Sequence, residues 1–350
     1  MPSSLPIGKT ELMCHCPLHG RAGVQLVTMR AIQVSEHGGP EVLRYTEVPD
    51  PVIGPKQLLV DTEAIGINFI DTYIRTGRYP QNVPYVPGAE GTGVVAAVGA
   101  EVTEFQAGDR VAWAAAPGSY AERVAVDEAV AIPVPEGIDA PVAASALLQG
   151  MTAHYLVESI YKPEPGEAVL VHAGAGGVGL IITQLLAKRG VRVLTTVSSD
   201  EKEKLSREAG AAEVLRYDDE LASRVRELTG GVGVAAVYDG VGASTFEASL
   251  ASLRVRGMLA LFGAASGPVP PFDLQRLNAL GSLFVTRPTL AHYTRDRAEL
   301  LWRARDVMNA IADGTLRIRV GATYPLAEAE RAHRDLEGRK TTGSIVLLPR

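Results

Sequence analysis

Residues 172–180 read HAGAGGVGL, with glycines at 174, 176 and 179. That spacing is the dinucleotide-binding fingerprint when it follows a strand and opens a helix, and both neighbours fit. The apolar AVLVHA precedes it and the amphipathic LIITQLLAKRG follows. In such a loop Gly174 permits a tight turn, Gly176 lets the backbone approach a pyrophosphate, and Gly179 allows the helix to pack on the strand. Gly177 and Val178 complete the helix start, where free N–H groups and the positive dipole end favour phosphate. The chemistry implied is hydride transfer by a nicotinamide dinucleotide, and the class implied is a soluble oxidoreductase.

The choice of dinucleotide falls at the end of the next strand, where a carboxylate would accept from the ribose 2′-hydroxyl of NAD and repel the extra phosphate of NADP. VRVLTTV ends there on Val197, Ser198 and Ser199, with Lys202 just beyond as a point charge for a phosphate. Asp200 lies about 20 residues after Gly179, where the fingerprint places an acid, so NADH stays open. The serines and Lys202 weigh toward NADPH.

These residues need a scaffold of particular texture. From Met29 the chain reads as short β segments broken by Gly and Pro: MRAIQV, VLRYTEV, QLLVDTEAIGI, GTGVVAAVG and DRVAWA. Past about residue 140 helices are predicted at 141–161, 178–189, 201–209, 220–229 and 244–253. They alternate with strands at 168–172, 191–197, 213–217, 234–239 and 257–262, a parallel sheet covered on both faces. The last sixty or so residues change again: a helix at 296–313, the strand ATYPL, a helix at 327–337 and a strand at 344–348. This C-terminal segment is expected to rejoin the first domain, making the doubly wound domain an insertion.

At 350 residues the chain suits two domains. A net charge of -6 and a pI near 5.7 leave no basic footprint for nucleic acid, and no apolar run is long enough to span a bilayer. The two cysteines, Cys14 and Cys16, build no disulfide framework and suit a reducing, cytoplasmic setting. Residues 1–28 are expected to be a disordered tail, with Met29 a plausible alternative start. Cys14, His15, Cys16 and His19 are too tightly spaced for an ordinary zinc knuckle, and nothing downstream completes one.

AIGINFIDTYIRTGRYP from Ala64, with HGGPEVL, PGAEGTGVV, AGDRV, VYDGVG, VTRP and RAHRDLEGRKTTGSIVL, resembles the zinc-independent, zeta-crystallin-like quinone oxidoreductases of the medium-chain dehydrogenase/reductase superfamily. The resemblance runs from about Met29 to the C-terminus. It implies an α/β protein with a GroES-like β-rich catalytic domain over 29–152 and 292–350, a Rossmann NADPH-binding domain over 153–291, and a homodimer. It also places Asn68 and Tyr79 at the reacting centre, with Tyr73 and Tyr79 on the substrate. Asn68, Thr152, Phe262 and Arg339 then line the cofactor, while Ser198, Lys202 and Tyr217 surround its 2′-phosphate. Zinc relatives carry Cys and His where this chain has Asn68 and Ala89, which cannot ligate, so no metal is expected. Asp71 and Asp239 sit at element ends, where capping or turn roles compete with catalysis.

With no zinc and no nucleophile arrangement, the expected work of the protein is to hold NADPH against a quinone or conjugated carbonyl, exclude water and stabilise the developing oxyanion. Asn68 and Tyr79 are the candidate donors, with Tyr79 or water supplying the proton. Reduction of enones or enoyl thioesters uses the same geometry, and a non-catalytic NADPH-binding, crystallin-like or RNA-binding role is the alternative of another class.

Overall fold

The computed structural model describes residues 27–349; the tail 1–26, with Cys14, His15, Cys16 and His19, lies outside the described residues, as does Arg350. The chain opens with an antiparallel ribbon of β1 (Thr28–Gln33) and β2 (Arg44–Pro49). β3 (Gln57–Ile67) follows, its first half alternating inward and outward and its second half buried on both faces. The short helix α1 (Phe69–Arg75) leaves its end. Next come β4 (Glu90–Val98), β5 (Arg110–Trp113), β6 (Arg123–Asp127) and β7 (Ile132–Pro133). α2 (Ala140–Tyr155) then loosens into a π-type turn over Leu156–Ile160, so the regular helix is shorter than the sequence pattern predicts.

The alternating part runs β8 (Ala168–Val171), α3 (Gly177–Lys188), β9 (Arg192–Val197), α4 (Asp200–Glu208), β10 (Glu213–Arg216) and α5 (Leu221–Leu228). It continues with β11 (Val234–Asp239), α6 (Phe246–Ser252), β12 (Leu253–Leu261), α7 (Gln275–Ala279) and β13 (Phe284–Thr286). α8 (Arg297–Ala312), β14 (Val320–Pro325), α9 (Ala329–Glu337) and β15 (Ser344–Leu348) end the chain. β12 begins at Leu253 rather than 257: Leu253 pairs with Val234, and a bulge with Arg256 at φ 58° hides the strand's polar start from the periodicity.

β8 and β11 are apolar and buried on both faces, as central parallel strands must be. The sheet they centre has order β10-β9-β8-β11-β12-β13, every pair parallel, which is the doubly wound arrangement. Its order reverses between β8 and β11, the position where such sheets take ligands. The other large sheet runs β14-β15-β3-β4-β5-β7, with β6 also on β3. β15 lies directly against β3, so the C-terminal segment returns to the first sheet as the sequence suggested. α2 joins the two halves, touching β3 and β4 on one side and α3 on the other. Among the described residues no helix is long and apolar enough to cross a membrane.

Candidate active site

A cleft of about 890 Å³ lies between the two sheets. On one side it is walled by the turn from β8 into α3. Gly176 caps that helix, and the N–H groups of Gly177, Val178 and Gly179 in its first turn have no intrahelical partner. All four residues line the cleft. The division of labour among the glycines differs from expectation. The left-handed residue is Ala173, at φ 54°, so the turn does not need Gly174 for its conformation. Gly174 is instead required by packing, because a Cβ there would lie 2.6 Å from the Thr195 side chain and 2.8 Å from Ser206 Oγ. Gly179 keeps its expected packing role, since a Cβ would meet the Ala173 carbonyl oxygen at 2.3 Å. Tyr217 clamps the turn, its hydroxyl accepting from the Ala173 N–H at 2.8 Å and donating to the Thr196 carbonyl at 3.4 Å.

Ser198, Lys202, Tyr217 and Arg339 converge on the cleft beyond the end of β9. Lys202 Nζ donates to the Arg339 carbonyl at 2.8 Å and to Ser198 Oγ at 3.3 Å. Arg339 adopts φ 56° in the turn after α9, which brings it across from the C-terminal segment. Neither cation forms an ion pair among the described residues. Burial first and the adjacent Arg339 second lower the Lys202 pKa, against a smaller opposing pull from Glu201. Asp200 does not take part: its fully exposed carboxylate is bonded to Arg216 at 2.6 Å. The chemistry of this corner fits a 2′-phosphate rather than a free ribose hydroxyl.

The opposite wall is built of side chains. Asn68 caps α1, its own N–H donating to Asp71 Oδ2 at 2.9 Å in a capping box. Its amide is buried between Glu90 of β4 and Gln149 of α2, at 2.7 and 3.1 Å. Tyr73 and Tyr79 meet edge to face with centroids 5.6 Å apart, and the Tyr73 hydroxyl accepts from the Ala264 N–H at 3.2 Å, linking α1 to the loop after β12. Tyr79 is more open, at 38% exposure. Thr152 from α2 and Phe262 from the end of β12 line the same cleft. Every site residue expected from sequence thus gathers on this cleft except Gly174, which lies just behind it.

Two family profiles match: "Alcohol dehydrogenase GroES-like domain" over residues 54–136 and "Zinc-binding dehydrogenase" over 177–299. A quinone oxidoreductase of Pseudomonas aeruginosa is 46% identical over 91% of this chain and 99% of its own length. The chain belongs to the quinone oxidoreductase family of medium-chain dehydrogenases/reductases. A family member from Burkholderia, 2-haloacrylate reductase, is 40% identical over 91% of this chain and 98% of its own. A mycobacterial protein solved in complex with NADPH is 58% identical, with a TM-score of 0.90 over 92% of this chain and all of that one.

The name of the second profile raises the question of zinc, and the donor set does not suit it. Catalytic zinc requires three protein ligands and an open position. At this wall the cleft offers Asn68 and Ala89, and the carboxylate buried behind them, Glu90, already accepts hydrogen bonds on both oxygens, from Asn68 and from the Leu148 N–H. Among the described residues no group of three His, Cys, Asp or Glu is placed to hold a metal.

Asp239 is a turn residue: one oxygen accepts from the Val241 and Gly242 N–H groups, the other from Thr245 and Ser249. Asp71 caps α1 and accepts from Tyr120 at 2.9 Å. Burial raises it to about 6. Glu90 and Gln149 escaped sequence reasoning. The available signal was a lone acid inside the strand EGTGVVAAV with no cation nearby in sequence, and a lone amide in the apolar ALLQGM.

Proposed function

We propose that this protein is an NADPH-dependent reductase of quinones and similar conjugated carbonyls that works without zinc. The observation carrying this reading is the cleft itself, which joins a cationic corner at Lys202 and Arg339, suited to a 2′-phosphate, to a wall at Asn68 and Tyr79 whose side chains are not zinc donors. NADPH supplies the hydride. The glycine turn and the first turn of α3 hold its pyrophosphate by backbone N–H groups, and Thr152 and Phe262 border its nicotinamide end. Asn68 and Tyr79 donate to the acceptor oxygen as it gains charge, an interaction that accelerates the reaction because it strengthens in the transition state. The Tyr79 hydroxyl or water returns the proton.

The same reading assigns 29–152 and 292–350 to the catalytic domain and 153–291 to the nucleotide domain, in a cytoplasmic homodimer. The family resemblance supports this assignment. Reduction of an activated carbon–carbon double bond is the second reading, favoured by the 40% identity to 2-haloacrylate reductase. Steady-state rates with NADPH, with and without a chelator, on a panel of quinones, enones and 2-haloacrylates decide between them. Chelator-insensitive quinone turnover is expected, and turnover of the alkenes alone would replace the quinone assignment with the second reading.

A further inference from the structure

We propose that Ser344, Gln149, Asn68 and Glu90 form a reversible hydrogen-bonded chain, in which Glu90 is the positioning residue that sets which way round the Asn68 amide is held beside the cleft. This rests on the reading of Asn68 as a donor to the acceptor oxygen. In the structure every link points the same way. Ser344 Oγ donates to Gln149 Oε1 at 2.8 Å, Gln149 Nε2 to Asn68 Oδ1 at 3.1 Å, and Asn68 Nδ2 to Glu90 Oε2 at 2.7 Å. The chain ends on a carboxylate, which when ionised only accepts.

A proton on Glu90 reverses the direction. Oε1 is occupied by the Leu148 N–H at 2.7 Å, so the proton resides on Oε2 and must be given to Asn68. Asn68 can accept it only by turning Oδ1 toward Glu90. Its Nδ2 then faces Gln149, which turns in response and donates through Nε2 to Ser344 Oγ. Each turn exchanges groups of almost equal shape, so the packing is kept while the Asn68 and Gln149 amides stay bonded at both ends and the Ser344 hydroxyl changes from donor to acceptor. Burial, with a smaller contribution from Asp71, raises Glu90 to about 8, placing both directions within reach of ordinary conditions. Asp71 is the charge that α1 presents. On α2, His154 is bonded to Asp306 and Tyr155 stacks on Tyr293. The acids of β3, Asp61 and Glu63, are paired with Arg123 and with Arg110 of β5.

The chain also touches the cofactor wall. A Cβ on Gly177 would lie 1.7 Å from Gln149 Oε1, so glycine at 177 is what admits the chain between α2 and the turn. Gly343, next to Ser344, donates its N–H to the Ala175 carbonyl at 2.9 Å. A positioning device for Asn68 is therefore anchored on the segment that binds pyrophosphate.

The test is kcat against pH with NADPH and 1,4-benzoquinone, together with the side-chain amide NMR signals of Asn68, assigned with Asn68→Asp. An ionised Glu90 places a negative charge behind the oxygen that is itself gaining charge, so wild-type kcat is expected to fall about tenfold or more as pH rises through the Glu90 pKa. Glu90→Gln is neutral at every pH and is expected to abolish that bend, and the Asn68 amide signals of the wild type are expected to shift with the same midpoint. A bend that persists in Glu90→Gln overturns the proposal. If that variant does not fold, the wild-type amide signals decide, and their failure to titrate overturns it equally. Asn68→Ala separates the two readings: turnover within about twofold of wild type removes Asn68 from the reaction, while the amide titration still judges its coupling to Glu90.

Discussion

The two walls of the cleft hold their ligands by opposite means. The wall between β8 and α3 uses backbone: N–H groups of a helix start, exposed because three glycines let strand, turn and helix approach one another. The wall formed by α1, β4 and α2 uses side chains, with the Asn68 amide fixed by Glu90 and Gln149 and α1 fixed by buried ionisable groups behind it. Asp71 is bonded to Tyr120, Tyr120 to His333 at 3.0 Å, His333 to Arg75 at 2.9 Å and Arg75 to Glu337 at 2.7 Å. A backbone wall tolerates no added atoms but is indifferent to pH. A side-chain wall accepts shape-conserving changes but responds to protons. The first binds what all nicotinamide donors share; the second can be retuned for an acceptor.

The strongest way to break this contrast is Gly179→Ala. The new Cβ would meet backbone on every side: the Ala173 oxygen at 2.3 Å, the Ala173 carbon and the Gly174 Cα at 3.1 Å. No side chain can yield, so the turn itself must move and carry its N–H groups off the pyrophosphate. A displacement of that kind is expected to cost about 100-fold in kcat/KM for NADPH. Fluorescence titration of NADPH together with initial rates checks it. A loss under threefold would mean that the turn is not the rigid element described.

The same contrast explains what was legible in the sequence. The backbone wall was readable because its demands are local: glycine spacing, a preceding strand and a following helix sit within one short segment. Even there the roles shifted, since the positive φ falls on Ala173, which no residue type advertises. The parallel sheet was readable because β8 and most of β11 are apolar runs, β9 is rich in β-branched residues, and helical patterns alternate with them. The side-chain wall was not readable in the same way. Asn68, Glu90, Gln149 and Ser344 are spread over almost the whole chain, and nothing near any of them in sequence announces the others. Family resemblance supplied Asn68; only the fold supplied its partners. α1 and β13 were too short to leave a period, and the polar bulge at Arg254–Arg256 concealed the start of β12.

A second test of the contrast is the response of the side-chain wall to acid. His333 is fully buried and its pKa is depressed to about 3, by desolvation first and then by the Arg75 charge. Below its unfolded pKa near 6.5 the unfolded chain takes up a proton that the folded one refuses, so this histidine costs stability as pH falls from about 7 toward 3. Asp71 and Glu90, raised by burial, have the opposite sign and favour the fold in mild acid, so only a difference between variants isolates His333. The destabilisation caused by His333→Gln, measured by urea unfolding, is expected to shrink by about 2 kcal/mol between pH 7 and pH 5. A constant difference would remove the histidine from the acid response.

The smallest expected effect lies at the far end of the backbone wall, where side chains return to decide the cofactor. Lys202 and Arg339 are placed together by a bond from Nζ to a carbonyl, an arrangement that keeps two cations close with no ion pair to either among the described residues. A 2′-phosphate would supply the missing charge, and a ribose hydroxyl would not. Lys202→Ala is therefore expected to raise KM for NADPH about tenfold, the scale of one partly exposed charge-assisted bond, while leaving KM for NADH within about twofold. Removing Nζ also frees the Arg339 carbonyl, and that loss is common to both cofactors. Any part of the change seen with NADH therefore measures the structural role of Lys202, and the excess seen with NADPH measures phosphate recognition. Equal changes with the two cofactors would shift the choice of nucleotide away from this corner and onto Ser198 and Tyr217.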